Sequence, residues 1–138
     1  MFKTDLITKR DMTKNNCWIL TEDLIYEDDK YIITVKAGFD FDYASVPWLF
    51  RLFLPKNGVE YDRASCIHDA LYASHYLPRD ICDGILKEAS LADKVSIITA
   101  NLMYNAVRLG GSFAYKDITA KELVEYRKLV TVAIKGTK

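Results

Sequence analysis

Residues 61–92, YDRASCIHDALYASHYLPRDICDGILKEASLA, decide how the rest of the chain is read. Apolar residues recur at helical spacing on both sides of a short break. The pattern predicts one helix from about Tyr61 to Ala73, a turn over Ser74–Leu77, and a second helix opened by Pro78 and running to about Ala92. Two helices joined by so short a turn lie antiparallel, so residues equidistant from it face each other. His68 and Asp83 share a midpoint with Tyr72 and Arg79, and on each helix the two members are four residues apart, hence on one face. The spacing therefore predicts two facing pairs, His68 with Asp83 and Tyr72 with Arg79.

That constellation carries the chemistry. An imidazole held by a carboxylate through one nitrogen is fixed in tautomer, and its other nitrogen is left to take a proton from water or a hydroxyl. His68 and Asp83 are thus the candidate catalytic pair. Asp69 lies about 100° around the helix from His68, where it can meet the loop carrying Asp40 and Asp42. Carboxylates and carbonyls gathered there would suit a hard divalent cation such as calcium, with Asp69 and Asp42 as the candidate ligands. The alternative for the pair is a satisfied hydrogen-bond bridge between helices, and for Tyr72 with Arg79 simple packing.

Working outward, CWILTEDLIYEDDKYIITV, residues 17–35, alternates apolar and β-branched residues around the acidic segment Glu27–Lys30 and predicts a β-hairpin. Gly38–Pro47 reads as an irregular loop, with Ser45 capping a short helix or, less simply, acting as a nucleophile beside His68. Trp48–Leu54 is nearly all apolar and is expected to be buried or to meet a partner. A third main helix begins near Asp93–Ser96 and stops at Gly110–Gly111, carrying Tyr104 and Arg108 on one face. Thr119 and Glu122 match a capping box, which predicts a last amphipathic helix over about 120–134. The expected architecture is α+β, a single domain over residues 1–138, with strands first and a helical body after them.

Composition narrows the function classes. Nineteen basic residues balance nineteen acidic ones, so no net field favours nucleic acid. Three cysteines without a CxxC pair, and only two histidines, argue against a disulfide framework and an imidazole-rich zinc cage. No apolar run approaches the ~18 residues of a membrane span, and Met1–Asp11 lacks the apolar core of a signal peptide, which leads to the expectation of a cytoplasmic protein.

GFDFDYASVP, IHDALY, RDICDGILKEA and LMYNAVRLGG together resemble the phage and prophage family known as domain of unknown function 1353, over roughly Ile33–Tyr115. Gly38, Phe39, Asp42, Ala44–Pro47, His68, Asp69, Leu71, Tyr72, Arg79, Asp83, Tyr104, Val107 and Arg108 fit its pattern, while Phe41 stands where a threonine is usual and Trp48 where an arginine is frequent. The resemblance implies a phage or prophage gene and no particular activity. More locally, HDxxY followed by an aspartate on the next helix is similar to the core of phospholipase A2. That similarity implies His68 as the base, Asp83 as its orienter, Asp69 as a calcium ligand and Tyr72 as a supporting hydroxyl.

Three function classes remain open on the sequence. The first is a hydrolase using His68 and Asp83. The second is a non-catalytic phage accessory or virion protein making contacts with a phage or host protein through the 48–54 helix. The third is a binder of a small anionic metabolite or nucleotide signal in a pocket lined by Tyr72, Arg79, Tyr104 and Arg108, with Ser45 as a further substrate-side hydroxyl.

Overall fold

The computed structural model describes residues 1–14, 17–41, 61–112, 115 and 118–136. Ser45, Asp42 and the apolar 48–54 stretch lie outside them, so the expectations placed on those residues concern positions not described. The fold is α+β. Its elements run β1 (Thr8–Arg10), β2 (Trp18–Leu20), β3 (Leu24–Glu27), β4 (Tyr31–Val35), β5 (Asp40–Phe41), α1 (Asp62–Ser74), α2 (Arg79–Ala92), α3 (Ile97–Gly110), α4 (Ala120–Leu129) and β6 (Val130–Ile134).

The expected hairpin is present but shorter than the 17–35 reading. Thr21–Asp23 interrupts it, so Trp18–Leu20 joins another sheet, in the antiparallel order β1-β2-β5, while β3 and β4 form the hairpin. Its turn is built by Asp28, whose Oδ1 accepts from the backbone N–H of Lys30 at 2.8 Å and of Tyr31 at 2.7 Å, a local turn chemistry that aspartate favours.

The last element corrects the sequence reading more substantially. The capping box forms, Thr119 Oγ1 accepting from Glu122 N and the Glu122 carboxylate accepting from Thr119 N at 2.9 Å, but the helix ends at Leu129. Val130–Ile134 turns into a strand paired antiparallel with β4, Val35 opposite Val130 and Tyr31 opposite Ile134. VTVAI is β-branched at four of its five positions, and the unpaired edge of β4 rewards that preference by satisfying backbone groups and burying Val130. Helical periodicity alone could not see that edge.

The core lies where α1 crosses the β3-β4-β6 sheet and packs against α2 and α4. α1 is buried on nearly every side, including at Ala64, Ser65, Cys66, Ile67, His68, Ala70, Leu71 and Tyr72. Small residues at 64, 65, 66 and 70 let neighbouring elements approach closely, so a polar side chain on this helix meets protein before it meets water. His75 closes α1 in the left-handed conformation, φ 52°, its N–H bonded to Leu71 O. Pro78 then starts α2 with extended backbone, returning the chain antiparallel. All three cysteines are buried free thiols. Among the described residues no helix is long and apolar enough to cross a membrane.

Candidate functional site

The antiparallel return puts Asp83 of α2 directly across from His68 of α1. His68 Nε2 lies 2.8 Å from Asp83 Oδ1, and the Tyr72 hydroxyl, one turn along α1, donates to the same oxygen at 2.5 Å. From α3, Arg108 Nη1 donates to Asp83 Oδ2 at 2.8 Å, and Arg79 Nε stands 3.8 Å from that oxygen. The His68 and Tyr72 rings rest against each other, centroids 4.1 Å apart. Asp83 is fully buried and His68 is 1% exposed, whereas the Arg108 side chain keeps 35% of its surface in solvent.

Burial by itself would push the Asp83 carboxyl up, but hydrogen bonds from His68, Tyr72 and Arg108 outweigh it and hold the group below its ordinary value of 3.8. Asp83 is therefore an anion. For His68 burial wins: its pKa falls below 6.5 despite the bond to Asp83, with the Arg79 charge acting in the same direction as burial. Burial also raises the Tyr72 phenol, which stays protonated. An ionised carboxylate can only accept, so the imidazole proton sits on Nε2 and the lone pair on Nδ1. Nδ1 has no hydrogen-bond partner among the described residues, and solvent reaches 2% of the His68 side chain.

The expected His68–Asp83 pair is thus made. The second pair also meets, the Arg79 guanidinium standing close enough to the Tyr72 hydroxyl to oppose the upward shift of its phenol, but Tyr72 donates to Asp83 and Arg79 Nη2 donates to the carbonyls of Val107 at 2.7 Å and Arg108 at 2.5 Å. Those carbonyls end α3, where a guanidinium satisfies acceptors that the helix leaves unused. Tyr104 is half-buried with Lys87 Nζ 5.8 Å from its ring centroid, so of the Tyr104–Arg108 face only Arg108 reaches Asp83. His75 lies in the turn, its ring stacking on Tyr115 at 4.2 Å and its Nε2 bonding to Tyr115 O. Asp69 is half-buried, and its charge helps to raise the buried Cys66 thiol. Among the described residues no group of three or more His, Cys, Asp or Glu side chains could hold a metal ion.

Two contributors escaped the sequence reading. Gly111 was legible as a helix stop, but its backbone is ordinary right-handed, φ −79°. What requires glycine is crowding: a Cβ there would sit 2.5 Å from Val107 O and 2.7 Å from the Tyr72 hydroxyl. Ser65, one turn before His68, is 1% exposed and its hydroxyl has no hydrogen-bond partner among the described residues. No local pattern signals either, since both depend on which helix crosses where.

A family model described as "Protein of unknown function (DUF1353)" matches residues 18–107, well over half of the chain. The chain belongs to this family. The DUF1353 match takes in β2 to β5 and α1 through nearly all of α3, including His68, Tyr72, Arg79 and Asp83, and stops just before Arg108. It begins earlier than the Ile33–Tyr115 span read from the motifs and ends sooner. No curated protein and no solved structure matches the chain.

Proposed function

We propose that this DUF1353 protein is a hydrolase, from a phage or prophage, in which His68 acts as general base and Asp83 holds it. The observation that carries the reading is a neutral imidazole anchored through Nε2 to an ionised carboxylate, with the Nδ1 lone pair unclaimed among the described residues. Nδ1 would take a proton from water as the water oxygen attacks an acyl or similar electrophilic centre, and imidazolium would return that proton to the leaving group. Asp83 would stabilise the imidazolium, as in the phospholipase A2 core that the HDxxY segment resembles. The solvent-facing part of Arg108, beside Tyr104, suits an anionic group on the substrate. A divalent cation would take Asp69, with Asp42, as ligands.

The test is turnover of a panel of chromogenic esters and anionic phospholipids by the wild-type protein, His68→Gln and Asp83→Asn, each checked for folding by circular dichroism, with and without calcium. The expected result is a loss of about 10²–10⁴-fold in both variants. Equal turnover in folded wild-type and His68→Gln protein would rule the reading out.

A second reading is favoured by the 1% exposure of His68: the network is a structural bolt in a non-catalytic phage accessory protein. It expects no turnover, and stability changes as the whole consequence of the same substitutions.

A further inference from the structure

Ser65, His68 and Tyr72 lie three and four residues apart and form one stripe of α1. Along that stripe Tyr72 Oη and His68 Nε2 both end on Asp83 Oδ1. Two polar groups of the stripe have no hydrogen-bond partner among the described residues: the buried Ser65 hydroxyl and His68 Nδ1. A serine in a helix interior often folds its hydroxyl back onto the preceding turn, as Ser90 does onto Leu86 O at 2.7 Å. Ser65 does not. An alanine would fill the same space without burying an orphan hydroxyl, so the serine calls for a ligand.

We infer that Ser65 and His68 Nδ1 together hold one buried water molecule, and that Ser65 is the residue positioning it. Side chains three apart on a helix have Cβ atoms about 5–6 Å apart, a span that two hydrogen bonds of about 2.8 Å meeting at one oxygen can bridge. The water donates one hydrogen to the Nδ1 lone pair and accepts the Ser65 hydroxyl hydrogen, which gives it two of the two to four partners that a buried water requires. Both protein groups are thereby satisfied. The inference deepens the hydrolase reading and rests on it for its catalytic meaning, since the bound water is the molecule whose proton His68 would remove. The site itself follows from the tautomer and from Ser65, so turnover is not its readout.

The experiment is water–protein cross-relaxation NMR on the wild-type protein, followed by the same spectra and a thermal melt of Ser65→Ala. The expected result is a long-lived water with cross-peaks to Ser65 Hβ and His68 Hε1. In Ser65→Ala those peaks vanish, the Nδ1 resonance moves, and Tm falls by about 4 °C as Nδ1 loses its partner. A merely structural serine moves neither the water peaks nor the Nδ1 resonance. Absence of water peaks in the wild type, their survival in Ser65→Ala, or a Tm that rises or stays in place on removing the hydroxyl each overturns the inference. If Ser65→Ala does not fold, the wild-type spectrum alone decides.

Discussion

Two arginine–aspartate centres sit at opposite ends of the helical body, and they use their donors differently. At the Thr4 end Arg63 grips Asp93 through Nε at 3.0 Å and through Nη2, gives Nη1 to Thr4 O at 3.2 Å, and lays its plane over the Phe2 ring at 4.5 Å. Every nitrogen of that guanidinium has work, and the result is a staple fixing the N-terminal segment to α1 and to the end of α2. At the other end Asp83 collects a neutral imidazole, a phenol and a guanidinium, yet among the described residues the second imidazole nitrogen has no partner. A closed set of bonds stabilises; a set with a base left over can also react.

The largest effect separating the two centres is expected at Asp83. Replacing it with alanine leaves His68, Tyr72 and the inner part of Arg108 facing an uncompensated interior, and should cost about 3–5 kcal/mol, read as a shift of the urea midpoint. A loss near that of an exposed ion pair would remove the distinction between the centres. Next comes Gly111→Ala, where the added methyl must displace either a backbone carbonyl or the Tyr72 hydroxyl. Overpacking of that kind costs about 1–3 kcal/mol, and the displaced phenol should also shift the His68 resonances. Arg63→Ala, whose side chain is 31% exposed, should cost about 1–2 kcal/mol after allowing for solvent screening and leave His68 unmoved. A change at His68 on that substitution would show that the two centres are coupled.

The smallest expected difference is in pH dependence. Asp83 has a folded pKa below 3.8, so its contribution is present above that value and is lost as pH falls through the folded one. His68 is neutral in the fold, and below pH 6.5 the unfolded chain binds a proton that the folded chain refuses, so stability falls with pH there too. Asp62, half-buried and raised to about 6, has the opposite sign: the folded chain holds its proton between 3.8 and about 6, and the favourable term is lost as pH rises through that window. Urea midpoints from pH 7.5 to 4 should therefore drop less steeply in His68→Gln than in the wild type. Parallel profiles would mean that His68 titrates normally.

Much of this arrangement was legible because it is local. Equidistance from a four-residue turn was enough to bring His68 to Asp83, and the Thr119–Glu122 cap marked the start of α4. What escaped depends on elements far apart in sequence. Val130–Ile134 becomes a strand because β4, almost a hundred residues earlier, offers an edge. Arg79, beside Tyr72, also reaches the end of α3 because that helix crosses there with open carbonyls. Gly111 matters because Tyr72 ends against it. The burial of His68 was likewise out of reach, since the pairing arithmetic says which residues meet and nothing about what covers them.

The central claim, that Asp83 is ionised and holds a neutral His68 with its lone pair on Nδ1, is tested most directly by a long-range ¹H–¹⁵N NMR titration of the two histidines in the wild-type protein. The account predicts that His68 stays in the Nε2–H form as pH falls past 6.5, taking up a second proton only below it. A His68 that protonates at or above 6.5, or that carries its proton on Nδ1, would contradict it.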